Sequence, residues 1–243
     1  MRKQQWGAWA PWMVIVCASI ALCMAVGVAA APAQRHSERP ARFDNLVRDD
    51  FYAGFQGDAE ALHRGMTFCE KALVEDPKNA DALVWHGSGL IFRSGGPSQR
   101  GDYAAATQLW DKGMAEMDAA VALEPKSVTV LLARAATLES AAPYGSWRPG
   151  QVEAMWQKAG SDFDATLKLQ AGYWDKLSAH ARGELLNGLA LSSVHRGDPA
   201  QAGRIFRRVV DELPGTRYSA AARDWLAKPV PAPDRNFICV GCH

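Results

Sequence analysis

Cysteine is scarce in the body of this 243-residue chain, and that excludes a fold stapled by disulfides. Of five cysteines, Cys17 and Cys23 lie in the apolar N-terminal stretch and Cys239 and Cys242 in the last five residues. Cys69 is left alone between them. Neither sign of charge is in excess, with 27 Lys and Arg against 26 Asp and Glu. A near-neutral chain gives no electrostatic reason to expect nucleic acid or an anionic membrane surface as partner. No stretch alternates polar and apolar residues at the period of two that a half-buried strand requires, so the expected fold class is all-α. A Gly-rich phosphate loop, a nucleophile elbow and a second Cys/His cluster are also missing, and no catalytic residues are assigned. The acidic pairs Asp49-Asp50 and Glu75-Asp76 read as a helix face and a helix end.

What is present begins at the far end. Cys239-Val240-Gly241-Cys242-His243 has the Cys-x-x-Cys-His spacing used to attach a c-type haem. Two thiols three positions apart can each reach one vinyl group of the porphyrin, and the adjacent imidazole of His243 can reach the iron. Gly241 adds no side chain to obstruct the macrocycle. The expected cofactor is therefore one covalent haem c, held by Cys239 and Cys242 with His243 as axial ligand. A Cys239–Cys242 disulfide and a zinc half-site use the same spacing, and both remain open at this point. The motif closes the given sequence. The expectation is that a haem pocket comes from upstream residues or from a partner, with water or a weakly recruited histidine in the sixth position. Solvent exposure and a nearby α-carboxylate are expected to hold the potential below that of His/Met cytochromes.

The compartment is read from the other end. Arg2 and Lys3 precede an apolar run over residues 9–28, and Ala31-Pro32-Ala33 supplies a small-residue cleavage site. Residues 1–33 read as an export signal cleaved after Ala33, which makes the body periplasmic or secreted. An uncleaved anchor helix is the alternative, since the run is almost long enough to span a bilayer, and only then is a membrane a partner. Cleavage removes two basic residues, leaving 25 against 26 acidic. Export suits the haem reading, because covalent haem attachment belongs to that side of a bacterial membrane.

Between the two ends lies a repeat. Gly65-Met66-Thr67-Phe68-Cys69-Glu70-Lys71-Ala72 through Pro77 aligns without gaps on Gly113-Met114-Ala115-Glu116-Met117-Asp118-Ala119-Ala120 through Pro125. A weaker copy runs over residues 158–169. The cleanest has Gly197, Asp198, Ala202, Phe206 and Pro214. This pattern resembles the second helix of a tetratricopeptide repeat (TPR), although the copies lie about 45 rather than 34 residues apart. The resemblance covers residues 43–227 and implies a scaffold of stacked antiparallel helical hairpins with a protein partner on its concave face. After a linker at 34–42, helices are expected over 43–54, 58–75, 79–93, 102–123, 128–141, 151–169, 178–196, 199–212 and 219–227. Gly65, Ala72, Gly113, Ala120, Ala159 and Ala202 are expected at close-packed positions. Lys228-Pro229-Val230-Pro231-Ala232-Pro233 then starts an extended Pro-rich tether that carries the motif over 228–243.

Candidate distal ligands are His86 and His180, each weighed against a structural role. Met66, Met114, Met117 and Met155 and the thiol of Cys69 read as core. Trp147, on a Gly/Pro-rich insertion, is a candidate contact residue. Two functions remain open: a monohaem c-type electron carrier or haem-linked scaffold docking a redox partner, and an exported TPR adaptor with no haem or with a Cys-x-x-Cys dithiol.

Overall fold

The structure, a computed structural model, describes residues 42–148 and 150–229. The described residues are all-helical, with no strand. The helices are α1 (Phe43–Phe55), α2 (Ala59–Glu75), α3 (Ala80–Gln99), α4 (Tyr103–Leu123), α5 (Val128–Ala141), α6 (Gln151–Gln170), α7 (Ala179–His195), α8 (Pro199–Glu212) and α9 (Arg217–Ala227). Short 3-10 segments follow α5 (Ala142–Tyr144) and α6 (Ala171–Lys176). Among these residues no helix is long and apolar enough to cross a membrane.

The turns explain where the helices begin and end. Three of them place a glycine of positive φ before an aspartate: Gly57-Asp58, Gly101-Asp102 and Gly197-Asp198. The glycine takes the left-handed conformation that reverses the chain. The aspartate then accepts from a free backbone N–H of the next helix, as Asp58 Oδ1 does from Ala61 N at 2.9 Å and Asp198 Oδ1 from Gln201 N at 2.8 Å. The alternate turns use another device. Pro77, Pro125 and Pro214 stop a helix, and Asn79, Ser127 and Thr216 cap the next one two residues later.

The nine described helices pair in chain order, α1 on α2, α3 on α4, α5 on α6 and α7 on α8. The odd helices also touch one another in succession, from α1 through α9. This arrangement divides the work of burial. Helix α5 is buried without a break from Val130 to Glu139, whereas the even helices bury one face. The core therefore follows the odd helices. Backbone meets backbone where Gly87 of α3 faces Gly113 of α4, and a Cβ on Gly87 would lie 2.7 Å from the Gly113 carbonyl oxygen.

Helix boundaries follow the sequence-based ones within about two residues, with one exception. The turn expected from Gly95 is helical, and α3 runs on to Gln99. Gly95 faces open space and a Cβ on Gly96 would make only an ordinary contact with Arg100, so neither missing side chain relieves a clash, and the reversal needs left-handed backbone only at Gly101 (φ 78°). Of the expected close-packed positions, Ala120, Ala159 and Ala202 are fully buried. Ala72 is only partly buried. Trp225 is buried against Phe206, with ring centroids 4.9 Å apart, and Leu226 packs at the rim.

Candidate functional site

The sequence-derived site, Cys239, Cys242 and His243, lies outside the described residues, as do residues 1–33, expected to be an export signal, and most of the expected tether at 228–243. The donor set itself fits a haem: two thiols that can form thioethers and one imidazole that can ligate iron. What the described domain decides is which of its own side chains are free to serve such a group.

The sulfur candidates are committed to the core. Met66, Met117 and Met155 are 1%, 0% and 1% exposed, and Met114 packs against the same cluster. Cys69 is fully buried, and burial pushes its thiol up to about 12, with Glu116 and Glu70 adding to the effect. It is inert as a nucleophile or ligand.

His86, on α3, is a structural histidine. Its Nδ1 lies 2.6 Å from Glu116 Oε2 on α4, and its Nε2 lies 3.6 Å from Glu70 Oε1 on α2. Both ring nitrogens face carboxylates, and the side chain is 6% exposed. His195, at the end of α7, stacks on Trp156 with centroids 4.4 Å apart, and its Nε2 lies 3.3 Å from Glu139 Oε1. Burial lowers the His195 pKa. Glu139 accepts from the Ser192 hydroxyl at 2.7 Å, and burial still pushes its carboxyl up to about 7 against the opposing pull of Ser192 and Arg196. This is a buried acid held between two helices of the core, α5 and α7.

A second buried network is purely architectural. Arg134 of α5 grips Asp162 of α6 with two bonds of 2.7 and 2.8 Å and donates to Asp118 of α4 at 2.8 Å. A guanidinium paired twice to one carboxylate is an orienting clamp, and breaking it leaves a buried charge.

His180 has a different setting. Ser178 caps α7, its Oγ accepting from Ala181 N at 3.1 Å, and this presents His180 in the helix's first turn. Its Nδ1 lies 2.6 Å from the Tyr218 hydroxyl on α9. Tyr218 in turn donates to the buried Glu184 carboxylate and accepts from Arg217 Nη2 at 2.8 Å. Arg217 also donates to Glu184 at 2.8 Å. Burial, reinforced by the bond to Glu184, pushes the Tyr218 hydroxyl well above its ordinary value, so it keeps its proton. Gly183 makes this possible: a Cβ there would run into the Tyr218 ring. The His180 side chain is 39% exposed.

Trp147 departs from expectation. It packs inside the fold, against Tyr103 (5.9 Å between centroids) and edge-on to Trp110 (5.6 Å). The Arg148–Asp111 ion pair at 2.7 Å ties the same insertion to α4. Trp147, expected as a contact residue, is thus half-buried against the aromatic side chains of α4. An open groove of about 260 Å3 between α6, α7 and α8 has an apolar floor of Leu167, Leu186, Leu189 and Ile205, with Arg204 and Arg208 at its edge.

The partners of His180 were missed by sequence reasoning. The spacing of four between His180 and Glu184 was a local signal, since it puts both on one helix face. Tyr218 and Arg217 lie more than thirty residues away and give none. Among the described residues no group of three or more His, Cys, Asp or Glu could hold a metal ion. Comparison with family models, curated proteins and solved structures finds no match to this chain.

Proposed function

We propose that this chain is an exported, monohaem c-type cytochrome-like TPR protein, in which the helical domain docks a redox partner and the tail presents the haem. The Cys239-Val240-Gly241-Cys242-His243 motif carries the reading. Pairwise helix packing, contact between successive odd helices and recurrent Gly-Asp and Pro turns support a TPR-like stack. Four hairpins and the closing helix α9 would form it.

The thiols of Cys239 and Cys242 would each add across one vinyl group of haem. In each addition the S–H bond breaks, a C–S bond forms, and the hydrogen goes to the neighbouring carbon, so no oxidant is required. His243 would supply an axial nitrogen. The haem supplies one-electron exchange between ferric and ferrous iron. The domain supplies a rigid surface for a protein partner on its concave face, and the export signal supplies the compartment.

The test is expression of the full chain with a cytochrome c maturation system. The expected result is a pyridine haemochrome α-band, with haem staining that survives a denaturing gel. Colourless protein with an oxidisable Cys239/Cys242 dithiol would favour the adaptor instead.

A further inference from the structure

We infer that the cleft between α6 and α8 is a docking surface of its own, taking an acidic segment of a partner protein with an aliphatic side chain at its centre. This surface is independent of the haem reading and is built wholly from the helical domain.

Three observations converge on it. The first is that this seam stays open where its counterparts are bridged. Between α2 and α4, His86 stands with Glu116 on one side and Glu70 on the other. Between α4 and α6, Lys158 pairs with Asp118 at 2.5 Å, and Trp110 Nε1 donates to Gln151 at 2.9 Å. On the α6–α8 seam the polar side chains turn back to their own helix: Lys168 to Asp164, Arg204 to Gln201 and Arg208 to Glu212. The cleft of about 260 Å3 lies between them. Arg196 bounds it toward the start of α6, its guanidinium seated where a Cβ on Gly160 would be. Past the end of α6, Trp174 Nε1 donates to Glu212 at 2.8 Å, and Arg208 lies over the Trp174 ring at 4.8 Å.

The second is charge. Asp164 and Glu212, the carboxylates beside the cleft, are each matched by a cation of their own helix. Arg204 is exposed at the edge, and its Nε donates to the neutral amide oxygen of Gln201 at 3.0 Å. Arg196 donates to the Ser193 hydroxyl at 3.4 Å, and its charge bears on the buried Glu139 from a distance. Among the described residues neither arginine forms an ion pair. The unmatched charge of the cleft is therefore positive, and it complements carboxylates on a partner.

The third is size and lining. Leu186, Leu189 and Ile205 form a buried floor, and Leu167 a half-buried wall. The volume falls below the range of about 300–1,000 Å3 typical of small-molecule sites. A recess of this size suits one aliphatic anchor ringed by polar contacts from a larger partner surface. Apolar floor and cationic edge together fit an amphipathic segment whose charged residues are Glu or Asp.

The test uses the full chain and fluorescence anisotropy. The probe is a fluorescein-labelled helical peptide with leucines along one stripe and glutamates elsewhere. Two comparison peptides carry lysine for glutamate or serine for leucine. Arg204→Glu reverses the charge at the cleft, and Arg223→Glu makes the same change at an exposed position of α9. Far-UV circular dichroism checks the fold of both variants. The expected result is binding of the Leu/Glu peptide to wild type and Arg223→Glu, weakened by salt and about tenfold weaker in Arg204→Glu. Neither comparison peptide is expected to bind comparably. Equal loss in the two variants would mean that net charge acts and not the cleft, and an equally tight Ser/Glu peptide would mean that the recess is unused. Either result overturns the inference. So does a wild type that binds none of the peptides, or one that prefers phosphatidylglycerol vesicles, which would make the surface a membrane contact.

Discussion

His86 and His180 sit on helices of the same class, α3 and α7, and each has its Nδ1 2.6 Å from an oxygen. Their surroundings nevertheless give them opposite characters. His86 is wedged between α2 and α4 with a carboxylate at each nitrogen, next to the glycine contact that draws α3 and α4 together. His180 opens its helix and leans on a phenol, with its side chain part-exposed. A histidine's role is set by what its second nitrogen meets. In the interior of the stack both nitrogens of His86 are consumed by structure, whereas at the start of α7 the ring of His180 stays part-exposed.

The contrast should show first in the adjoining glycines. Gly87→Ala pushes a methyl into the Gly113 carbonyl and Met117, against backbone that cannot step aside, and is expected to destabilise the fold by about 3 kcal/mol. Gly183→Ala meets the Tyr218 ring, a side chain that can shift only by loosening its bonds to His180 and Glu184, and alanine's better helix propensity offsets part of the strain. A net loss of about 1 kcal/mol is expected. Urea denaturation of both variants checks the order; equal losses would show that the Tyr218 ring is as fixed as the α3–α4 backbone.

His195 offers a third setting, in which the partner carboxylate titrates. Glu139 has an ordinary value of 4.5 and reaches about 7 in the fold. Between these values the unfolded chain has released a proton that the folded one keeps. The wild type therefore loses stability as pH rises from about 4.5 to about 7, and the penalty is complete above that. Its size is on the order of 3 kcal/mol. His195, with its pKa lowered, acts in the opposite direction just below 6.5, and does so in the variant too. Glu139→Gln is accordingly expected to gain on wild type across that window and to stay ahead at pH 8. Denaturation curves at pH 5 and pH 8 read the difference, and parallel curves would mean that the carboxylate is already ionised.

Removing the histidines themselves gives a smaller effect with the same ranking. His86→Ala strands Glu116 and is expected to cost about 2 kcal/mol, whereas His180→Ala, at a part-exposed site, is expected to cost about 0.5 kcal/mol. Thermal melts of the two variants compare them directly. Least disruptive of all should be deletion of residues 239–243. Covalent haem is expected to disappear from the denaturing gel while far-UV circular dichroism stays unchanged; a drop in helicity of more than a few per cent would mean that the tail supports the core.

Much of the fold was legible in the chain because local chemistry writes helix ends plainly. Asp58, Asn79, Asp102, Ser127, Ser178 and Asp198 each cap a helix with their own side chain, and glycine and proline mark the reversals between them. The end of α3 was not legible, since Gly95 and Gly96 signal a turn by composition yet are helical, at positions where a side chain would meet no clash. Trp147 was misread for a related reason: its loop composition is local, but the rings of Tyr103 and Trp110 that receive it come from another helix.

The Cys-x-x-Cys-His spacing is local, so Cys239, Cys242 and His243 could be singled out from the sequence by itself, as could the all-helical class. The ranking of His86 against His180 could not. Each depends on oxygens supplied from other helices, Glu116 and Glu70 for one and Tyr218 for the other, thirty-eight residues away in the last case. Only packing brings such partners together, because a side chain's second neighbour is decided in space and not along the chain.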